Sequence, residues 1–423
     1  MISSMASNLT SFVKNPGVDF TRDRKLPFET MIKLLISMGG NTIYKELLEA
    51  HNFDANTATA SAFVQQRDKI LPCTFEHLLN RFTYSHTDIK TYRGYRLLAA
   101  DGSELHFATN PDDSETYYQT SENAKGYNLL HINVLYDLCN RLYVDTLIQP
   151  SRLENEKRAL CDMVDRSAIN GKTIVIGDRG YENYNAFEHI KQKGWNYLIR
   201  VKDIDSTGIL SGLDLPNEEE FDINVYRVLT RRQTNHIKAN PHIYRFIPNN
   251  VNFDFLPLKS KEEYPISFRI VRIRIETDYY QTIVTNLDKD EFPPEAIKRL
   301  YKMRWGIETS FRELKYAVGL INLHSKKREY VIQEVFARII MHNFSEMITS
   351  HVVIAAAITK HAYQVNFTIA IHVCKRFLNL PDNIPPPDVE AIIRKNTLPV
   401  RADRTAKMVL RSKSSVSFVY RRA

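Results

Sequence analysis

From the amino terminus to about residue 85, apolar side chains recur every three to four positions, the spacing of helices that bury one face. Residues 26–38 form one such run, which ends at Gly39 and Gly40. "TIYKELLEAH", "TASAFVQQRDKI" and "CTFEHLLNRF" come next, the last introduced by Pro72. Near residue 90 the period changes to that of strands. "YRLLAAD" is apolar on both faces and reads as a short strand ending at Asp101 in a Gly turn. "GYNLLHINVLYD" and "RLYVDTLIQP" flank a turn at 138–140 and predict a hairpin. "GKTIVIGD" is another buried strand, ending at Asp178. "ENEKRALCDMVDRSA" and "YNAFEHIKQKG" predict helices, and "WNYLIRVK" predicts a strand directly after the second helix. A hairpin followed by alternating strand and helix is the pattern of a mixed α/β sheet.

Between about 203 and 285 no helix pattern of useful length appears. An acidic loop, "NEEEFD", precedes strand-like alternation in "YRVLTRR", "SFRIVRIRIE" and "YYQTIVTNL". Pro293 and Pro294 then introduce a helix, and helical spacing returns from about 325 to 377. The expected layout is therefore a helical, DNA-binding amino-terminal domain (1–85), a core in two parts (86–202 and 286–372) around a β-rich insertion (203–285), and a carboxy-terminal basic or dimerisation region (373–423). Its last stretch carries Arg401, Arg404, Lys407, Arg411, Lys413, Arg421 and Arg422 against Asp403 alone.

At 423 residues the chain exceeds one ordinary core. Apolar content of 43% and charged content of 25% are those of a folded soluble protein, and the net charge of +8 favours a polyanionic partner. Cys73, Cys139, Cys161 and Cys374 form no Cys-x-x-Cys pair, which argues against a zinc finger and for reduced thiols. "MISSMASNLTSF" lacks the basic start and apolar run of a signal peptide, and the longest apolar stretch, "HVVIAAAITKHAY", is short and carries Lys360. A cytoplasmic protein with no membrane association is expected.

Three places carry candidate chemistry. Asp101 and Asp178 each stand where an apolar strand gives way to glycine, and an unpaired carboxylate is too costly for a core. Strand ends of open α/β sheets are where ligands bind. The third place is "YKMRWGIETSFRELK". On one α-helix, Tyr301, Arg304, Glu308 and Lys315 fall within about 60° of one another, beside a stripe formed by Leu300, Met303, Ile307, Phe311, Leu314 and Val318. Taken singly, each acid is equally a turn residue or part of a solvated face. Together they are three carboxylates whose convergence divalent cations would stabilise. Two such ions about 4 Å apart suit phosphodiester chemistry.

The order Asp101, Asp178, Glu308, with Tyr-x2-Arg-x3-Glu-x6-Lys around the glutamate, resembles the DDE transposases of bacterial insertion sequences, and most closely the group numbered four. "DGSEL", "IGDRGY", "RWGIETSFRELK" and, more weakly, "SAFVQQRDKI" carry the likeness. The resemblance implies a ribonuclease-H-like mixed-sheet core interrupted by the insertion. It also implies cut-and-paste transposition of double-stranded DNA, with water and then a 3′-hydroxyl as nucleophiles. Asp101, Asp178 and Glu308 would bind two Mg²⁺, or Mn²⁺ in its place. Tyr301, Arg304 and Lys315 would contact phosphates of the terminal inverted repeat, and a homodimer would pair two ends before joining them to target DNA. Arg179 would touch DNA or pair with Asp178. Some relatives form a DNA hairpin and stack a flipped base on a tryptophan of the insertion. Here Trp195 and Trp305 both lie outside it, and Tyr279 or Tyr280 would offer the stacking face or simply pack in a strand. A bacterial, nucleoid-associated location is implied as well. Two other readings share these features: a metal-dependent nuclease on the same core, and a host-adopted DNA-binding protein.

Overall fold

The computed structural model describes residues 1–399 apart from 23, 205, 277–278, 353–362 and 381–383. The basic run at 401–423 and the segment holding Lys360 lie outside the described residues. The amino-terminal periodicity becomes α1 (Ile2–Ala6), α2 (Phe28–Ser37), α3 (Ile43–Ala50), α4 (Ala60–Arg67) and α5 (Cys73–Tyr84).

The strand-forming segments build one mixed sheet. Its strands are β1 (Arg96–Phe107), β2 (Tyr117–Tyr118), β3 (Tyr127–Asp137), β4 (Leu142–Pro150), β5 (Thr173–Gly177), β6 (Asn196–Val201), β7 (Phe221–Thr230), β8 (Tyr244–Phe246), β9 (Glu263–Glu276) and β10 (Tyr279–Thr285). Across the sheet they run β3, β1, β5, β6, β10, β9, β7, β8, with β4 and β2 on the outer side of β3. β1, β5 and β6 are parallel, and β3 and β10 flank them antiparallel. The strands of residues 203–285 thus continue the central sheet, because β10 pairs with β6 directly. A short helix, α8 (Asn235–Ala239), also forms there, capped by the Thr234 side chain, although the sequence pattern shows no helix of useful length.

β1 shows why the layers form. Leu98 and Ala100 point into a cluster with α6 (Glu156–Arg166) and α7 (Tyr184–Gln192), while Leu97 and Ala99 point to the opposite face. Side chains of Asn155 and Asn183 cap α6 and α7 by accepting backbone N–H bonds. The opposite face is covered by α9 (Pro294–Met303), α10 (Trp305–Arg312) and α11 (Arg328–Ser350), followed by α12 (Phe367–Leu378) and α13 (Val389–Lys395). Two short strands that the pattern does not predict, β11 (Tyr363–Val365) and β12 (Thr397–Pro399), pair beside α12. No helix among the described residues is long and apolar enough to cross a membrane.

α11 is the axis of this face. Its Val335 and Ile339 share a cluster with Met31 and Leu35 of α2, Phe75 and Leu79 of α5, and Ile132 and Val134 of β3. A buried polar clasp adds to the apolar contact. Arg67 Nη1 lies 2.8 Å from Glu334 Oε1, its Nε donates to Gln333 Oε1 at 2.9 Å, and Nη2 donates to the Tyr330 carbonyl. Both charges are almost fully buried, so removing one leaves the other without its partner. Arg67→Met is expected to destabilise the fold by about 3–5 kcal/mol in chemical denaturation. A loss below about 1 kcal/mol, the size of a surface pair, would contradict this role.

Candidate active site

Strand register brings the first two acids together. β1 and β5 are parallel with Ala99 opposite Ile176, so Asp101 and Asp178, each two residues further on, emerge as neighbours. Adjacent strands lie about 4.8 Å apart. Asp178 is the first residue beyond β5; its Oδ1 accepts from the Gly180 N–H at 2.7 Å and caps a single turn at Arg179–Tyr181. Asp101 differs from the sequence expectation. It does not end its strand, because β1 stays paired with β3 to Phe107, with Asp101 opposite Val134. The partner strand outlasts β5, so the backbone after Asp101 keeps a ladder instead of turning. Gly102 allows this: a β-carbon there would lie 2.4 Å from both Glu156 Oε1 and His131 Nε2.

The third acid comes from α10. Ile297 and Leu300 anchor α9 on the sheet; of the expected apolar stripe, Leu300, Ile307, Phe311, Leu314 and Val318 are buried and Met303 only partly so. The helix is not uniform. At Arg304 the ladder tightens: Arg304 N bonds to Tyr301 O at 3.1 Å and Ile307 N to Arg304 O at 3.0 Å. From Glu313 to Val318 it widens into a π turn, closed by Gly319 at φ +96°. The single angular ridge from Tyr301 to Lys315 therefore does not persist, since each change of winding rotates the residues beyond it. Contact with the sheet keeps the group together instead. Arg304 Nη2 lies 2.5 Å from Glu308 Oε1, and its Nη1 lies 3.7 Å from Asp101 Oδ2. Lys315 Nζ donates to Ser103 Oγ at 2.6 Å, two residues beyond Asp101. Tyr301 is buried and meets Arg200, which in turn donates to Tyr279 Oη at 3.0 Å.

Burial pushes the Asp101 carboxyl up to about 6. Asp178 and Glu308 push the same way, against the Gly102 N–H and the Arg304 guanidinium. Beneath them the Tyr181 hydroxyl is buried without a hydrogen-bond partner. Its pKa is raised first by burial and then by Glu156, Asp101 and Asp178. Excess negative charge on an all-oxygen donor set suits Mg²⁺ or Mn²⁺. In this structure Arg304 serves as the counter-ion between Asp101 and Glu308.

The other expected residues separate. Arg179 is exposed and makes no ion pair with Asp178; it lines a cavity of about 290 Å³ with Lys157, Lys202 and Arg245. Tyr279 is 43% exposed beside Arg200. Tyr280 belongs to a different network: its hydroxyl donates to Glu219 at 2.6 Å and accepts from Arg274, and Arg272 lies 4.2 Å from its ring centre. Trp195 is buried, whereas Trp305 is exposed next to Arg304. Three neighbours escaped the sequence reading. Arg200 is a charge inside the otherwise buried run "YLIRV", a signal that was available. Glu156 and His131, joined at 3.0 Å, look in sequence like a helix start and a strand residue.

A family model described as a transposase DDE domain matches residues 92–344. The chain is 23% identical over 193 residues to the transposase for insertion sequence element IS421 of Escherichia coli. It is equally similar to the InsL proteins named for elements IS186A and IS186B of Escherichia coli (strain K12). Each alignment covers 42% of this chain and 52% of the relative, so the chain spans about half the length of the curated relatives it matches. A solved piggyBac transposase synaptic complex with hairpin DNA aligns with 85% of this chain and 72% of its own, at 9% identity and a TM-score of 0.44.

An acid whose pKa is higher folded than unfolded stabilises the fold while protonated. The Asp101 contribution is therefore full below 3.8 and lost as the pH rises through about 6. Asp101→Asn carries no charge and keeps an acceptor for Gly102. In metal-free buffer at about pH 7.5 it is expected to raise stability by about 3 kcal/mol, with little change near pH 4. Denaturation at the two pH values checks both the sign and the window.

Proposed function

The chain belongs to the transposase DDE domain family, and from that premise we propose that it is the transposase of an insertion sequence of the group numbered four. It binds the terminal inverted repeats and carries out cut-and-paste cleavage and strand transfer. The observation that carries this reading is the β1–β5 register, which sets Asp101 beside Asp178, together with the Arg304 contacts to both Asp101 and Glu308. The strand order β4, β3, β1, β5, β6, with Asp101 on β1 and Asp178 just past the end of the parallel β5, supports a ribonuclease-H-like core.

The family uses a divalent metal. Asp101, Asp178 and Glu308 would hold two Mg²⁺ ions, with Mn²⁺ as a substitute, in keeping with the raised Asp101 pKa. Such ions supply Lewis-acid activation of the attacking and leaving oxygens of a phosphodiester.

The protein's own groups handle the DNA. Arg304, freed from the acids, presents a fork of donors to a phosphate. Lys315 is tethered to β1 near Asp101 and contributes an ammonium for the next phosphate. Tyr301, held by Arg200, supplies a hydroxyl. Arg179, exposed at the turn after Asp178, adds a further contact to the DNA. Of the two tyrosines, Tyr279 is the better stacking face for an unpaired base, since the Tyr280 hydroxyl and ring are already engaged. A homodimer pairs two ends, and the protein works on the bacterial nucleoid in the cytoplasm.

Asp101→Ala, Asp178→Ala and Glu308→Ala are each expected to abolish cleavage of inverted-repeat DNA while leaving mobility-shift binding nearly intact. Retained cleavage in any of the three overturns the assignment. Pre-cleaved ends incubated with Mg²⁺ and target plasmid should yield joined products. Nicks alone would make the protein a nuclease, and neither product would make it a DNA-binding protein.

A further inference from the structure

The same π turn that carries Lys315 also carries Glu313, which faces away from the acid triad toward α11. There it meets His342 and Glu346, one helical turn apart. One ligand atom from each residue lies within 4.8 Å of the others, the one such set of three or more acids, histidines or cysteines among the described residues. His342 sets this cluster apart from an ordinary ion pair. Its side chain is 0% exposed, and neither ring nitrogen has a hydrogen-bond partner. The nearest carboxylate oxygen, Glu313 Oε2, is 3.8 Å from Nε2: close enough for the imidazole to lower the Glu313 pKa, but too far for a hydrogen bond of ordinary length. Tyr143 and Tyr136 meet the imidazole edge-on at 4.9 and 6.3 Å and hold its orientation. A buried imidazole with no hydrogen bond of ordinary length is costly, and a metal ion is a ligand that takes a neutral ring nitrogen together with two carboxylates.

We propose that Glu313, His342 and Glu346 form a second metal site, for a divalent transition ion such as Zn²⁺, separate from the Asp101, Asp178 and Glu308 cluster. The mixed nitrogen and oxygen donor set favours Zn²⁺ over Mg²⁺, which prefers oxygen alone. In the metal-free form Arg141 fills the cation's electrostatic role. Its Nη2 lies 2.8 Å from Glu346 Oε1 and 3.1 Å from Glu313 Oε2. Its side chain is 48% exposed and borders a cavity of about 470 Å³, into which the guanidinium withdraws when the ion binds. The ion ties the π turn to α11. It thereby braces the segment that carries Lys315 on one side and, through Ser310 hydrogen-bonded to Tyr143 at 3.0 Å, the α10 helix of Glu308 on the other.

The test uses the full chain with Asp101→Asn and Asp178→Asn, so that the acid triad does not contribute. After EDTA treatment and dialysis it is titrated calorimetrically with Zn²⁺ and, separately, Mg²⁺. One Zn²⁺ per chain is expected, with no comparable Mg²⁺ binding, and Zn²⁺ should raise Tm. His342→Ala and Glu346→Gln should each lose that saturable site. Arg141→Ala should bind Zn²⁺ more tightly than its parent, because the competing cation is gone, and Zn²⁺ should restore the stability it loses. Absence of Zn²⁺ binding, or unchanged binding in a folded His342→Ala protein, overturns the proposal. If His342→Ala does not fold, the Arg141→Ala protein decides: a loss of stability that Zn²⁺ does not restore means the cluster is an ion-pair network only.

Discussion

The repulsion that neighbouring carboxylates exert on the largely buried Asp101 is the constraint around which the centre of this molecule is arranged. Asp101 is held inside the sheet with Asp178, just past the end of the adjacent β5, as its neighbour, and α10 adds Glu308. In a medium less polar than water, such like charges help to raise the Asp101 pKa and destabilise the fold unless something opposes them. The opposing groups are all close by. Gly102 and Gly180 donate backbone hydrogen bonds to Asp101 and Asp178, and Arg304 spans Asp101 and Glu308. Arg304 sits where the helix tightens. The local winding of α9 and α10 and the charge of the acids are thus two parts of one arrangement.

The scaffold behind the acids is also rich in buried charge. Arg67 and Glu334 meet between α4 and α11, and Arg338 donates to the Leu35 and Gly39 carbonyls of the α2 end. Such pairs are weak evidence for net stability but fix which surfaces meet, since a slipped interface would strand a charge. The π turn at Glu313–Val318 joins this scaffold to the active face. Lys315 reaches from it to β1 and Glu313 to His342 of α11, so one unusual turn borders two acidic clusters, each bridged by an arginine.

Much of the architecture was legible because it derives from short-range pattern. The hairpin β3–β4, the buried strand β5, the capped helices α6 and α7 and the helical amino-terminal segments all sit where periodicity and turn residues indicated. Asp101 and Asp178 stood out because carboxylates at the ends of apolar runs conflict with burial. The pattern misjudged Asp101 as a strand end, since the Gly after it reads as a turn. It also took Tyr301 to Lys315 as one continuous α-helix, since propensity does not reveal a tightened turn or a π turn. Tyr279 and Tyr280, adjacent in sequence, could not be told apart until the strand assigned them to different neighbours.

By itself, then, the sequence determined which residue types were available, where the strands and helices would fall, and that three acids in a set order with Tyr, Arg and Lys around the last pointed to metal-dependent phosphodiester chemistry. These depend on side-chain chemistry and on periodicities of two or about 3.6 residues, which neighbouring residues express locally. Tertiary structure alone decided that Asp101 and Asp178 stand side by side, that Arg304 bridges two of the acids, that Arg200 links Tyr301 to Tyr279, and that Glu313 meets His342 and Glu346. Each of these contacts depends on strand register or helix packing between segments far apart in the chain. Their geometry is set by how the whole core closes, and no local window of sequence contains it.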